Sequence, residues 1–99
     1  MSRYWLHPDA EAELGEAARY YAEHASRAIA EAFLLEYERV RDLLIANPVR
    51  GAHDVAGLRR YHFDRFPYTL IYEADPAQGP VIYAVAHQRR EPGYWTARR

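Results

Sequence analysis

The residues best suited to chemistry are gathered in the last fifth of the chain. A β-branched and aromatic run typical of a buried strand ends at His87, and Arg89 and Arg90 come after it. A Pro-Gly turn then carries Tyr94 and Trp95. Side chains that leave a rigid strand point in fixed directions, so binding and catalytic groups are common at such places. Arginines close to exposed aromatic rings are typical of a surface that meets an anionic partner, RNA included.

An enzyme that cleaved RNA through this segment would have to activate a 2′-hydroxyl, stabilise a crowded phosphate and protonate the leaving oxygen. All thirteen basic residues are Arg, and Arg does not give up a proton at neutral pH. The acid–base role would therefore fall to His87 or Tyr94. Each candidate also has an ordinary structural interpretation. His87 could be a hydrogen-bonded residue at a strand end, and Arg89 and Arg90 a solvated pair.

Three other arginines precede this segment. Arg59 and Arg60 are neighbours in a predicted strand and so point to opposite faces. One is expected to cover the sheet face and the other to pair with an acidic residue of the helices, so that at least one of them has a structural role. Arg65 follows Asp64 in a turn, where a weak surface ion pair is the ordinary expectation.

The aromatic pair after the Pro-Gly turn allows two interpretations. Tyr94 and Trp95 could fold back over the core as a lid, or they could form a contact patch for a partner. We favour the contact patch, because exposed aromatic side chains next to arginines commonly mark interaction surfaces.

The net charge of −1 conceals an opposition between the two halves of the chain. Residues 1–48 hold nine acidic residues against five arginines, a net of −4, whereas residues 49–99 hold eight arginines against five acidic residues, a net of +3. This asymmetry favours an anionic partner for the second half.

Composition bounds the class of protein. Ninety-nine residues, of which 49% are hydrophobic, predict one domain over residues 1–99 with a packed core. No run approaches the roughly 20 apolar residues that span a bilayer, so we expect no membrane partner. Cysteine is absent, which excludes disulfides and thiol chemistry and fits a cytoplasmic protein. The five His show no metal-binding spacing, and we expect neither a metal nor a cofactor.

The first half predicts two helices after a short extended run at residues 4–7. Pro8 suits a first helical turn, and apolar residues then recur at helical spacing as far as residue 24. Ser26 is a good N-cap for a second helix, which ends at Asn47 because the residue before a proline leaves the α region. So short a connection predicts an antiparallel helix hairpin.

The second half predicts three strands, Leu58–Phe63, Tyr68–Glu73 and Pro80–His87, after a loop over Val49–Gly57. The order β-α-α-β-β-β predicts an α+β fold in which the helix hairpin packs on one face of an antiparallel sheet. The expected core residues are Leu14, Tyr21, Phe33, Val40, Leu44, Leu70, Ile71 and Val85.

The order of elements, and residues within them, resemble the RelE/ParE toxin superfamily over essentially the whole chain. Each matching stretch is a weak signal by itself, but all of them together, in this order along the chain, are specific for the superfamily. The matching stretches are His7–Leu14, the Tyr20-Tyr21 pair, Asn47-Pro48, Gly57–Tyr61, Phe66–Tyr72 and Val85–Trp95. The resemblance implies a small toxin of a type II toxin–antitoxin pair that a cognate antitoxin holds inactive in a hetero-oligomer. One branch cleaves mRNA on the ribosome, and the ParE-like branch poisons DNA gyrase.

The resemblance also implies site residues for the nuclease branch. Arg65 and Arg90 fall near the positions of its functional arginines, and Tyr94 near its C-terminal tyrosine. The lysines of that branch have no counterpart here.

Three functional hypotheses follow. The first, which we favour, is a binding module that acts on DNA gyrase without enzymatic chemistry. The residues expected to contact the target or the antitoxin are Arg59, Arg60, Arg89, Arg90, Tyr94 and Trp95. The second is a ribosome-dependent mRNA endonuclease with Arg65, His87, Arg90 and Tyr94 as its catalytic residues. The third is a non-toxic member of the superfamily that serves only as a scaffold.

Overall fold

The first helix is fixed at its N-terminus by local signals. The computed structural model describes residues 3–99, in which strand β1 (Trp5–Leu6) leads into helix α1 (Pro8–His24). The side chain of His7 caps this helix, because its Nδ1 accepts a hydrogen bond from the N–H of Asp9 at 3.0 Å. Pro8 occupies the first turn, where a missing N–H costs nothing.

Helix α2 (Arg27–Ala46) is held at both ends as its sequence predicts. The Oγ of Ser26 accepts the N–H of Ile29 at 3.1 Å, and the helix ends at Asn47, directly before Pro48. Only two residues separate the helices, and they pack together as a hairpin. Within residues 3–99, neither helix is long and apolar enough to cross a membrane.

Five strands form one sheet with the order β1-β5-β4-β3-β2. After β1, the strands are β2 (Ala52–His53), β3 (Arg59–His62), β4 (Tyr68–Asp75) and β5 (Gly79–His87). Each of the strands β2 to β5 pairs antiparallel with the next strand along the chain, whereas β1 pairs parallel with β5.

The main core lies between the helix hairpin and one face of the sheet. Phe33 is at its centre, fully buried, with four aromatic rings at centroid distances of 5.0–5.7 Å. These rings belong to Tyr21, Phe63, Phe66 and Tyr68. Aromatic pairs at such separations add to the stability that their buried area provides.

A second apolar cluster covers the opposite face of the sheet. It consists of Leu58, Ile71, Ala84, Ala86 and Trp95, all buried. The last of these reaches the sheet from the C-terminal tail, so the tail covers a face that the helices do not reach.

A β-bulge separates the residues of the two faces. Ile71 pairs with Ala84, but Tyr72 pairs with Ile82, which leaves Tyr83 as an extra residue on β5. The bulge lets Ile82 and Val85, three residues apart, both face the helices.

The α+β fold with two helices on one face of a sheet is confirmed, and three details differ from expectation. The sheet is mixed rather than wholly antiparallel, because β1 runs parallel to β5. The predicted loop before β3 contains the short edge strand β2. Ile71 was expected beneath the helices and instead packs under Trp95, since it lies on the other side of the pleat from Leu70.

Buried Glu36 fixes the loop between β3 and β4. Its carboxylate accepts hydrogen bonds from the Arg39 guanidinium at 3.1 Å and from the N–H of Asp64 at 2.7 Å. The Arg39 guanidinium holds the pKa of Glu36 below its usual range. Asp64 therefore pairs with Arg39 at 3.0 Å rather than with its neighbour Arg65.

We expect Phe33→Ala to lower the free energy of unfolding by about 3–5 kcal/mol, because it leaves a cavity at the centre of the aromatic core. Leu35→Ala, on the same helix but 65% exposed, is a matched control and should change stability by less than about 0.5 kcal/mol. Thermal or urea denaturation measures both. Equal melting curves for the two variants would contradict the packing described here.

Candidate functional site

Two grooves meet at the C-terminal end of β5. The edge groove lies between α1 and the free edge of β5 and encloses about 460 Å³. The sheet-face groove lies beside Trp95 on the face away from the helices and encloses about 390 Å³. His87 and Arg90 line both, so the end of β5 forms the wall between them.

Half of the residues that line the edge groove carry aromatic rings. Its lining residues are Glu13, Glu16, Ala17, Tyr20, Tyr21, Tyr68, Val85, His87, Arg90 and Tyr94. The His87 ring meets the ring of Tyr68 edge-on at 5.1 Å, and its Nδ1 accepts the N–H of Arg89 at 3.0 Å. That contact leaves only Nε2 of His87 for a ligand.

Glu13 connects the helix hairpin, the sheet and the tail. Its Oε1 accepts the N–H of Val85 at 3.0 Å, and its two oxygens accept two hydrogen bonds from Arg98 at 2.9 Å each. Arg90 adds a third cationic contact at 3.2 Å. The side chains of Glu13 and Arg98 are only 10% and 13% exposed, so this ion pair is poorly screened by water.

The ring of Tyr94 contacts two guanidinium groups. The Cζ of Arg90 is 3.6 Å from the centre of its ring, and that of Arg98 is 5.0 Å away. Burial, with Glu13 beside the hydroxyl, raises the pKa of Tyr94 well above its usual value. The phenol therefore stays protonated at neutral pH and is a poor general base.

The sheet-face groove gathers basic and hydrogen-bonding side chains around an apolar wall. Its lining residues are Asp54, Arg60, His62, Thr69, Ile71, Ala86, His87, Gln88, Arg90, Pro92 and Trp95. The Nδ1 of His62 lies 2.6 Å from the Oγ1 of Thr69, which fixes the imidazole ring against β4. Within residues 3–99, no three acidic or His side chains gather as a metal ion would require.

Arg59 and Arg60 hold the β2 edge of the sheet. Arg59 donates to the C=O of Val49 at 3.2 Å and to that of Gly51 at 2.8 Å. It therefore has a structural role, but its partners are backbone carbonyls and not the acidic helix residue that was expected. Arg60 donates to the C=O of His53 and also lines the sheet-face groove.

Arg65 and Arg89 do not join the cluster around Glu13. Arg65 lies in the β3–β4 loop and lines neither groove, and Arg89 is exposed in the turn after β5. Among residues 3–99, neither guanidinium has a hydrogen-bond or ion-pair partner. The structure thus brings His87, Arg90 and Tyr94 together and leaves Arg65 apart from them.

Trp95 is only 7% exposed and packs on Ile71, Ala84 and Ala86. The favoured interpretation of a contact patch is therefore wrong for Trp95, which is a lid. Gly93 makes the turn that returns the tail to the sheet. Its φ is +83°, a value that is sterically unfavourable for residues other than glycine.

Sequence reasoning missed Glu13, Arg98 and His62. The signal for Glu13 is its position three residues after Ala10 and four before Ala17, both buried, so that a carboxylate interrupts the apolar stripe of α1. His62 is next to Phe63 at the end of β3, and no local signal marks it.

The family of ParE toxins of the type II toxin–antitoxin system parDE matches residues 4–92. The chain belongs to the ParE toxin family. It is thus a type II toxin, and such a system includes an antitoxin partner. A solved structure described as "Chromosomal ParDE TA system from P. aeruginosa" shares the fold of this toxin, with a TM-score of 0.75 and 17% sequence identity. The match covers 88% of this chain and 96% of that one. Among curated proteins no significant match is found.

We expect Trp95→Ala to lower the free energy of unfolding by about 3–5 kcal/mol, because the indole fills the apolar cluster on the sheet face. Removal of Tyr94–Arg99 should unfold the toxin rather than only weaken its contact with a target, since Trp95 and Arg98 are lost together. Arg89→Ala is the matched surface control and should leave the melting temperature unchanged. A Trp95→Ala variant as stable as the wild type would contradict the lid.

Proposed function

We propose that this toxin arrests growth in the cytoplasm by binding an intracellular protein, with DNA gyrase as the favoured target, and that a cognate antitoxin neutralises it in a hetero-oligomer. Membership of the ParE toxin family supports this choice over the ribosome-dependent branch. Under this proposal the toxin contributes a contact surface and performs no proton transfer.

The structural use of Arg90 and Tyr94 carries the proposal. Arg90 is paired with Glu13 and stacked on Tyr94, so its charge is partly neutralised before any phosphate arrives. Tyr94 has a raised pKa, and its ring contacts two guanidinium groups. An endonuclease would need both groups free to act in the transition state. Arg65, the other candidate, lines neither groove.

One observation favours the endonuclease as a second candidate. The sheet-face groove holds His62, His87, Arg60 and Arg90 around one cavity, and two imidazoles near arginines could transfer protons and stabilise a phosphate. RNA cleavage would then use His62 and His87 rather than Tyr94 as the acid and base.

Growth arrest should survive His87→Ala and Tyr94→Phe, because binding requires neither the imidazole nor the phenol hydroxyl. Tyr94→Phe keeps the ring beneath Arg90 and removes only the hydroxyl, which makes it a mild substitution. The measurement is growth after inducing each variant without antitoxin, with mRNA ends mapped by primer extension and DNA breaks scored in parallel. Folding of each variant is checked by its melting temperature.

DNA breaks and filamentation with intact mRNA would support gyrase as the target. Codon-phased mRNA cuts without DNA breaks would contradict the proposal. If such cuts disappear in His62→Ala or His87→Ala while folding and ribosome binding persist, the second candidate is correct, with a loss of roughly 10²-fold or more expected per catalytic group.

A further inference from the structure

The fold separates the charges of the chain into two layers. The helix hairpin, residues 8–46, holds nine acidic residues against four arginines. The sheet layer, residues 47–99, forms strands β2 to β5 and the tail and holds eight arginines against five acidic residues. Because the helices pack on one face of the sheet only, the acidic layer lies on the side away from the sheet-face groove. An anionic partner is therefore attracted to the side that carries this groove.

Ion pairs between the two layers use only part of the arginine excess. Arg90 and Arg98 bind Glu13 of α1, and Asp64 binds Arg39 of α2. Among residues 3–99 these pairs take two of the eight arginines and one of the five acidic residues of the sheet layer, which leaves six arginines and four acidic residues. The sheet layer thus keeps a positive charge after the contacts that hold the layers together.

Arg60 and His62 form one wall of the sheet-face groove. Both are exposed and alternate along β3 with Tyr61, which packs against the core beneath the helices. Arg60 gives one of the five N–H donors of its guanidinium to the C=O of His53, so its charge stays in place while its position is fixed. The Nδ1 of His62 is held by Thr69, which leaves Nε2 to face a ligand.

The whole lining of the groove favours a ligand that carries negative charge. It holds two arginines and two imidazoles against a single carboxylate, that of Asp54. The floor is made of uncharged side chains, Thr69, Ile71 and Ala86, which neither repel an acidic ligand nor pair with it.

The shape of the groove favours a single protein chain over nucleic acid. One wall rises from β3, and Trp95 lies over β4 and β5 as the other, so the groove is no wider than two strand spacings, roughly 10 Å. A nucleic-acid duplex is too wide to enter it. Trp95 is buried against the sheet and offers little ring face on which a base of a single strand could stack.

We propose that the sheet-face groove binds an acidic segment of the target protein, with a carboxylate on Arg60 and His62. This inference rests on the proposed function, because it names the chemistry that the contact surface recognises in its target. The site is preformed. Trp95 stays on the sheet, and Arg98 stays on Glu13, so binding requires no movement of the tail.

The first test titrates the full-length, isotope-labelled toxin with two synthetic peptides, Gly-Glu-Leu-Glu-Leu-Glu-Gly and the same peptide with Gln in place of Glu. The imidazole signals of His62 and the indole N–H signal of Trp95 report binding in the groove. The Glu peptide should bind at least roughly 10-fold more tightly than the Gln peptide, and rising salt should weaken it. Equal affinity of the two peptides would overturn the inference.

Charge reversal at Arg60 separates recognition from unfolding. Arg60→Glu should weaken the Glu peptide roughly 10-fold or more and should bind Gly-Lys-Leu-Lys-Leu-Lys-Gly more tightly than the wild type does, which no unfolded variant would do. Arg27→Glu is the matched control, because it makes the same charge change on α2 at a side chain that is 92% exposed. It should leave the affinity for the Glu peptide unchanged. An equal loss in both variants would show that only net charge matters and would overturn the site.

Purified DNA gyrase distinguishes this inference from the proposed function. If wild type and Arg60→Glu bind gyrase equally well, the groove is not the contact site and the inference fails while the proposed function stands. If the wild type does not bind gyrase but binds the Glu peptide through Arg60, the groove has the chemistry inferred here and the proposed target is wrong. A short single-stranded oligothymidine that binds more tightly than the Glu peptide, and is lost in Arg60→Glu, would overturn the inference in favour of nucleic acid.

Discussion

The carboxylate of Glu13 joins three parts of the toxin that are far apart in sequence: helix α1, strand β5 and the C-terminal tail. A carboxylate that is largely shielded from water is stable only when its lone pairs are satisfied, and here a backbone N–H and two guanidinium groups satisfy them. The same contacts close the edge of β5, hold the turn that brings Trp95 to the sheet, and set the position of Arg90 over Tyr94. The ion cluster around Glu13 thus shapes the end of β5. It also retains the C-terminal tail, on which the apolar cluster around Trp95 depends.

The ion cluster around Glu13 changes the interpretation of the charge asymmetry between the two halves of the chain. The arginine excess in residues 49–99 suggested a surface for an anionic partner. Part of that excess is instead paired within the protein, because Arg90 and Arg98 bind Glu13 and Arg99 lies 3.3 Å from Glu73. Arg59 and Arg60 bind backbone carbonyls, which fixes their positions but leaves their positive charge in place. An arginine that already neutralises a buried acid contributes little to attracting a distant phosphate. Family membership and the contacts of Arg90 and Tyr94 are the two grounds for the proposal that this toxin acts by binding.

Local sequence signals predicted the helices well, and long-range pairing explains what they missed. The bounds of α1 and α2 are fixed by signals that each act within one helical turn. These signals are Pro8 in the first turn of α1, and Ser26 and Asn47 as the N-cap and C-cap of α2. The parallel pairing of β1 with β5 joins residues about 76 positions apart, as in Trp5 with Val81, and no local pattern encodes it. The bulge at Tyr83 shifts the alternation of β5 by one residue, which no simple period of two predicts. The candidate site was found in part: His87, Arg90 and Tyr94 do lie together, whereas the burial of Trp95 and the role of Glu13 depend on where the tail returns.

A double-mutant cycle between Glu13 and Arg98 tests the central claim that this ion pair holds the tail to α1 and β5. The variants are Glu13→Gln, Arg98→Gln and their combination, with the free energy of unfolding measured for each by urea denaturation. If the pair works as described, the two substitutions are strongly non-additive, with a coupling energy of about 1–3 kcal/mol. Additivity to within about 0.5 kcal/mol would show that the pair contributes nothing specific, and it would contradict this account of the tail, the closed edge and the site.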